Sequence, residues 1–547
     1  MIEIQKVFKT PVTGAEILID ALAEEGVTTI FGIPGGAISP VYDLFLESDI
    51  THYLMRHEQA AAHAADGFYR ASGNIAVAMA TSGPGCLNLA TGIGTAFKDR
   101  SALLAITGQT LLSKMGTDSF QEVEATSVFN SITKSTTLIK TPRLVEYTIK
   151  KMIKISLSSP PGPVHVDLPR DIQTGATDWL PSFDQSTFPS SLHTSYEAVQ
   201  KVAQLLSMSR LPVIVVGGGV VRSQVCRDVY TLCHLLNCPV VTTFMGKSGF
   251  PEYDPLFCGI IGSNGSKYAN TLLQQADCVV GLGTRFSDRT VWNLTEFAPK
   301  ADIVCINVES ELGTAFENAR ILQGDLREVV PLLVKLLQET PIETDWLEAE
   351  AEPIYVDHEG PPFHPIAILK TLRTVFPQQS FFVADTGQHQ VFCANYLPVS
   401  EPSTFITSGG LGCMGFGVPA SLGVKVAHPE TPVVTICGDG GFLMVCQELA
   451  TSICNDIPVV ICIFNNGYLG MIRQSQLSCF NRISQVDLSP SPNFAKLAEA
   501  FGAQGIKIEH LEELLDIDIM PEQSIVCDIP IDPTVCVPSH SYSWAGK

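Results

Sequence analysis

The sequence predicts an α/β protein made of doubly wound parallel sheets, and three observations carry that prediction. Short apolar runs rich in Val and Ile recur along the chain, helix-like stretches separate them, and the length calls for several such units. The runs begin with "VTTIFGI" at 27–33, "IAVAMAT" at 75–81, "SALLAIT" at 101–107 and "PVHVDLP" at 163–169. They continue with "LPVIVVGGG" at 211–219, "PVVTTF" at 239–244, "ADCVVGLG" at 276–283 and "ADIVCINV" at 301–308. "PVVTIC" at 432–437 and "IPVVICIFNN" at 457–466 complete the series. Strands so uniformly apolar are buried on both faces, which requires helices on both sides of a parallel sheet.

At 547 residues the chain exceeds what one core serves, and at ~150 residues per domain it holds about three domains. Two stretches break the rhythm: the Pro/Ser-rich "DWLPSFDQSTFPSSLHTSYE", 178–197, and the acidic "ETDWLEAEAEPIYVDHEGPP", 343–362. Read as linkers, they divide the chain into 1–180, 195–340 and 360–547. A net charge of −22 without long like-charge blocks argues against nucleic acid or an anionic membrane as partner and favours a small-molecule ligand. The sixteen cysteines lie mostly inside apolar runs without zinc-site spacing, as reduced thiols do. No apolar stretch reaches ~18 residues, and the N-terminal "IEIQKVFKTPVTGAE" has no targeting pattern, so a cytoplasmic protein is expected.

The chemistry concentrates at the ends of the last two runs. Gly438-Asp439-Gly440 ends one and Asn465-Asn466 ends the next, with twenty-four residues, 441–464, between them. Ligands of parallel sheets bind beyond the carboxyl ends of strands, and glycines there let a phosphate approach the backbone. A helix is expected to begin near Gly441. One Asp, one Asn and a carbonyl are hard oxygen ligands too few to cage a metal, which suits Mg²⁺ completed by phosphates. The element therefore reads as a metal-bridged diphosphate site.

This spacing resembles the diphosphate-binding motif of thiamine-diphosphate enzymes, and the resemblance implies Asp439, Asn466 and the Tyr468 carbonyl as Mg²⁺ ligands. That family also uses a Glu against the cofactor's aminopyrimidine. Glu58 in "YLMRHEQAAAHAADGFYRASG", 53–73, fits: a short strand ends at Met55 and Glu58 opens an Ala-rich helix.

A longer set of motifs narrows the family. "FGIPGGAISPVYD" 31–43, "TSGPGCLNLATGIGTAFKD" 81–99, "GTDSFQEVE" 116–124, "GPVHVDLPRD" 162–171, "TRFSDR" 284–289, "DTGQHQ" 385–390, "SGGLGCMGFGVPASLG" 408–423 and "LGMIRQSQ" 469–476 resemble the successive motifs of acetolactate synthase large catalytic subunits. The resemblance runs from about Thr13 to Gly505. It implies a pyrimidine-binding domain, a central Rossmann-like domain and a diphosphate-binding domain, with each active site between two subunits of a homodimer or homotetramer. A regulatory small subunit is a further partner the resemblance suggests. The implied reaction decarboxylates pyruvate and joins the two-carbon unit to a second 2-keto acid, giving 2-acetolactate for branched-chain amino-acid synthesis.

Carried over residue by residue, the resemblance makes Glu58, Gln121 and Met414 catalytic, Met414 being the prop beneath the bent cofactor. Pro34, Gln388, His389, Gly412, Gly438, Gly440, Gly441, Gly470 and Met471 border the cofactor. Gly36, Phe120, Arg170, Arg289 and Ser475 border the substrates, with Arg289 suited to hold the acceptor carboxylate. Gly217, Gly218, Gly219, Thr243, Met245, Gly283, Arg285, Gly324 and Asp325 stand where the family binds FAD.

The departures fall on two functions. The family's acceptor-pocket Trp is Ser475, and Ser263 and Asn264 replace its Met-His pair, which leaves acceptor choice open. Pro160 and Ser287 replace an Arg and an Asp of the flavin region, so FAD stays open as well. Two alternatives to the synthase reading therefore remain: a related carboligase with another acceptor, and a weakly active paralogue.

Overall fold

The computed structural model of the chain describes residues 4–181, 194–310, 316, 319–346 and 363–538. Its frame is three six-stranded sheets, in which every strand pair is parallel. The first sheet draws on strands from Thr29–Gly32 to Val164–Pro169, the second from Pro212–Val216 to Arg320–Gln323, and the third from Phe381–Ala384 to Ile525–Pro530. With strands counted in chain order inside each sheet, the first and third share the order 2-1-3-4-6-5, whereas the second runs 3-2-1-4-5-6. The second order is that of dinucleotide-binding sheets.

All ten apolar runs form strands, and the central ones, such as Pro212–Val216 and Cys278–Leu282, are buried throughout. Strands that apolar runs did not mark include the edges Ser135–Leu138, Arg320–Gln323 and Gln504–Lys507. Their polar residues are allowed because an edge strand is only partly covered. An antiparallel ribbon, Ile4–Thr13 with Ala176–Pro181, ties the two ends of the first unit together. The segments read as linkers lie mainly outside the described residues, at 182–193 and 347–362.

The first and third units meet through two helices, Glu58–Ser72 and Gly417–Ala427. A β-carbon at Gly67 would stand 2.1 Å from the Ala420 carbonyl oxygen, and one at Gly423 only 1.9 Å from that of Ala64. Glycine at both crossing points, with Ala60, Ala61, Ala64 and Ala65 fully buried around them, lets the two backbones touch. The middle unit is fastened to the third by Lys247, whose Nζ donates to both Glu252 oxygens at 2.7 Å and to the Ala394 carbonyl at 3.0 Å. Glu252 in turn accepts the Val399 N–H at 3.0 Å. No helix of the described residues is long and apolar enough to cross a membrane.

The glycine contact predicts a strong size limit. Gly423→Ala should destabilise the protein by about 3 kcal/mol or more, because the obstacle is backbone and cannot repack. Denaturant unfolding measures this, with Gly94→Ala in the helix Ala90–Asp99, where a β-carbon would meet nothing closer than 3.7 Å, as the variant that tests general glycine effects.

Candidate active site

The strands Val433–Gly438 and Val460–Asn465 are paired neighbours, so Asp439 and Asn466 emerge side by side at one sheet edge. The helix after the first strand begins at Asp439 rather than near Gly441, with Gly438 at its cap. Asp439 is buried, and its two oxygens accept N–H donors from Gly440 at 2.8 Å and Gly467 at 2.7 Å. Burial pushes its carboxyl up to about 6, and among the described residues no cationic side chain forms an ion pair with it. The Asn466 side-chain oxygen accepts the Tyr468 N–H at 2.9 Å. Its amide reaches Gln388 Oε1 at 3.4 Å. Gly470 starts the following helix because a β-carbon there would meet Gln388 Oε1 at 2.1 Å and Asn466 Nδ2 at 2.6 Å. Met471, next along, packs on the core of the third sheet.

These donors fit a magnesium diphosphate. Among the described residues no group of three or more His, Cys, Asp or Glu side chains could hold a metal alone. A lone buried carboxylate with amide and carbonyl oxygens instead suits a cation that brings its own phosphate oxygens. His389 adds an independent mark of a ligand: burial holds its imidazole down to about 4, hence neutral, and its buried Nε2 has no hydrogen-bond partner. The ring lies 3.1 Å from the position of a Gly438 β-carbon, beside the same turn.

Met414 stands over that turn, with its Cε 3.5 Å from a β-carbon position on Gly440. The loop carrying it is fixed from below by Asp385, a residue the motif reading quoted but gave no role. Asp385 is fully buried and accepts N–H bonds from Gly417 at 2.9 Å and Gly415 at 3.1 Å, besides the adjacent Thr386. Ser408 Oγ accepts from Gly412 and Cys413, both at 3.1 Å. Gly441 passes close above Asp385, since a β-carbon there would lie 3.3 Å from the carboxyl carbon. One carboxylate thus underlies both the Met414 loop and the diphosphate turn.

Glu58 belongs to the first sheet's edge. It is buried as the first residue of its helix, and Oε2 accepts the Asn88 amide at 2.9 Å. The Gly83-Pro84-Gly85 turn sits between Glu58 and Gln121: a Gly85 β-carbon would lie 3.1 Å from Glu58 Oε1, and a Gly83 β-carbon 2.9 Å from that of Gln121. Both Gly83 and Gln121 have left-handed φ, 60° and 58°. Pro34, Gly36 and Arg170 are exposed, and Phe120 is 88 % exposed. Among the described residues no hydrogen bond or ion pair joins Glu58 to Asp439, Asn466 or Met414 within one chain.

The middle sheet presents a cationic cleft made of three adjoining cavities of about 60, 100 and 150 Å³. Gly218, Gly219, Thr243, Met245, Gly283 and Arg285 line it, as do the substituted Pro160 and Ser287. Arg222, Arg285 and Arg289 hydrogen-bond backbone carbonyls of Asp99, Lys98 and Gly409, and among the described residues none of the three forms an ion pair, although Asp99 lies near enough to Arg222 and Arg289 to act on their charges. Arg289 also lies 4.8 Å over the Phe244 ring. Gly217, Gly324 and Asp325 are placed differently. Gly217 packs on the Gly283 backbone, Gly324 on Val329 and Thr194, and Asp325 caps a helix while paired with Arg327. Ser263 is half-buried and donates its N–H to the Arg289 carbonyl at 3.0 Å. Ser475 is half-buried on the helix Gly470–Phe480.

Family comparison matches each unit in turn. Residues 12–128, 199–333 and 385–524 match the N-terminal TPP binding, central and C-terminal TPP binding domains of the thiamine pyrophosphate enzymes. A probable acetolactate synthase large subunit of Methanocaldococcus jannaschii is 41 % identical over 96 % of this chain and 93 % of its own. The chain belongs to the acetolactate synthase large-subunit family. Escherichia coli K12 relatives named acetolactate synthase isozyme 3 and isozyme 2 large subunits are each 36 % identical. They cover 92 % and 95 % of this chain, and 91 % and 95 % of their own lengths. Membership makes it a thiamine-diphosphate carboligase, and the three α/β units are the three domains of that enzyme class.

The Asp385 arrangement yields a test. Asp385→Asn keeps the volume but turns a nitrogen donor toward one of the amides it now accepts. The variant should lose about 1–3 kcal/mol of stability and bind thiamine diphosphate more weakly, as read by unfolding and by calorimetric titration. Unchanged stability and affinity would show that the loop is held by other contacts.

Proposed function

We propose that this chain decarboxylates pyruvate and joins the remaining two-carbon unit to a second 2-keto acid, giving 2-acetolactate. The observation that supports the proposal is that Glu58 stands at the carboxyl edge of the first sheet and Asp439 with Asn466 at that of the third, in domains that match the thiamine pyrophosphate enzymes. Bound thiamine diphosphate would supply the nucleophilic carbon and the electron sink for the reaction. The protein's part is to hold, orient and exclude water.

Asp439, Asn466 and the Tyr468 carbonyl are the residues proposed to hold Mg²⁺. His389 Nε2 and the turn at Gly438, Gly440 and Gly441 are proposed to border the phosphates. Gln388, Gly412, Gly470 and Met471 border the cofactor, and Met414 supports it between the rings, a task suited to an unbranched apolar side chain. Glu58, oriented by Asn88, holds the proton shared with the aminopyrimidine. Pro34 is proposed to border that ring. Gln121, Phe120, Gly36 and Arg170 are placed at the substrate's rim, and Arg289 at the acceptor carboxylate.

Among the described residues no hydrogen bond or ion pair joins Glu58 to Asp439 of the same chain, and a second copy is proposed to bring its Asp439 half to Glu58, making the active unit a homodimer or a larger even assembly. The large-subunit relatives support a catalytic role beside a regulatory small subunit. The cationic cleft of the middle sheet is proposed to take FAD, its arginines facing the diphosphate, and the visible spectrum of the purified protein tests that. The cytoplasm is the proposed location.

The deciding experiment supplies purified protein with thiamine diphosphate, Mg²⁺ and pyruvate alone, and identifies the products. Acetolactate with carbon dioxide is expected, and Glu58→Gln should reduce both by at least ~100-fold. Release of carbon dioxide without acetolactate would favour a carboligase of different acceptor, the reading that Ser475 and Ser263 support. No release at all would refute both.

A second prediction concerns pH. The Asp439 carboxyl stands at about 6 in the folded protein, above the ~3.9 of an unfolded Asp. In metal-free protein its ionisation therefore costs stability as pH rises from about 4 to about 6. A cation must displace that proton, so Mg²⁺-dependent binding of thiamine diphosphate should weaken as pH falls below about 6. Calorimetric titration at several pH values measures this, and Asp439→Asn should flatten the dependence.

A further inference from the structure

Glu448 is a fully buried carboxylate that no step above uses. It opens the helix Glu448–Cys454 of the third unit, nine positions after Asp439. Its oxygens point into the first unit, where they accept the Arg56 N–H at 3.2 and 3.3 Å. Thr451 Oγ1 donates to the same carboxylate at 2.7 Å and lies 3.4 Å from the Leu54 carbonyl. The backbone of His57 is a further donor to it. The turn leading from strand Thr51–Leu54 to Glu58 is therefore gripped from outside its own unit.

Among the described residues no ion pair neutralises the charge, the Arg56 guanidinium acting on it only from a distance. The Arg56 guanidinium turns away, donating to the Leu54 carbonyl at 2.6 Å and toward Cys454 Sγ at 3.6 Å. Burial pushes the carboxyl up to about 7. A neutral residue could cap an amide at lower desolvation cost. Helix Glu58–Ser72 already has a local cap as well, His57 Nδ1 accepting the Gln59 N–H at 3.1 Å. What Glu448 adds is a fixed position for the backbone on which Glu58 is mounted, apart from the Asn88 amide that holds the Glu58 side chain.

We propose that Glu448 is a positioning residue for Glu58, locking residues 54–57 so that the Glu58 carboxylate is presented at the pyrimidine end of the cofactor site. The proposal rests on the assignment of Glu58 above. It also means that one short segment, from Asp439 to Thr451, carries the metal turn and the clamp on the activating carboxylate's turn.

The test uses full-length Glu448→Ala, Glu448→Gln and Thr451→Val, with Glu58→Gln as reference. Amide hydrogen exchange over residues 54–60 of the cofactor-free protein should rise by roughly 10-fold in Glu448→Ala. With cofactor, exchange of the thiazolium C2 proton and kcat should fall together by roughly 10- to 100-fold. KM for pyruvate and Kd for thiamine diphosphate should stay within about twofold. Glu448→Gln, which keeps a carbonyl acceptor, should recover most of both rates. Thr451→Val gives a milder loss of the same pattern and serves if Glu448→Ala does not fold. Wild-type C2 exchange in Glu448→Ala, or a loss of kcat matched by an equal loss of cofactor affinity, overturns the proposal. Wild-type C2 exchange in Glu58→Gln instead overturns the assignment on which it rests.

Discussion

The contact on which the rest depends is the backbone-to-backbone crossing of helices Glu58–Ser72 and Gly417–Ala427. With Gly67 under the Ala420 carbonyl and Gly423 under that of Ala64, the first and third sheets are held at one separation and angle. The helix N-terminus at Glu58 then falls beside Glu448, and the loop ending in Phe416 carries Met414 onto the diphosphate turn. A methyl group at either crossing would move both, since close-packed backbone transmits displacement rather than absorbing it.

Electrostatics in this acidic chain are organised by burial more than by pairing. Asp385, Asp439 and Glu448 are buried carboxylates satisfied by backbone N–H and hydroxyl donors. All three are raised in pKa by desolvation. Such groups are expensive to keep, and each stands under or beside an element that carries a proposed functional residue. The middle unit does the reverse, gathering Arg222, Arg285 and Arg289 around a cleft where, among the described residues, none of them forms an ion pair. The contrast supports the proposals of an anionic ligand for that cleft and of a cation with phosphate for the third sheet.

Much of the fold was legible because buried parallel strands have no polar face to disguise them. Central runs such as "VVTIC" and "PVIVV" read directly, whereas edge strands such as Ser135–Leu138 and Gln504–Lys507, being half-covered, carry a mixed pattern that periodicity does not resolve. Motif residues of the site were legible for a different reason: Gly438-Asp439-Gly440 and Asn465-Asn466 put glycines and polar side chains at the ends of adjacent apolar strands, where they stand out from the runs they close. Asp385 and Glu448 were not legible as positioning groups. Their partners are backbone amides of segments distant in the chain, and a backbone amide leaves no residue-type signature.

By itself, then, the sequence determined three α/β units, the turn chemistry of the diphosphate end and the helix that begins at Glu58, because strand burial, glycine turns and capping are local properties. Tertiary structure decided which carboxylates are buried without an ion pair among the described residues, how the Met414 loop is braced, and that no hydrogen bond or ion pair joins Glu58 to Asp439 of one chain among those residues. Those outcomes depend on which surfaces come together and at what distance, and the chain settles that only when the helices cross at Gly67 and Gly423.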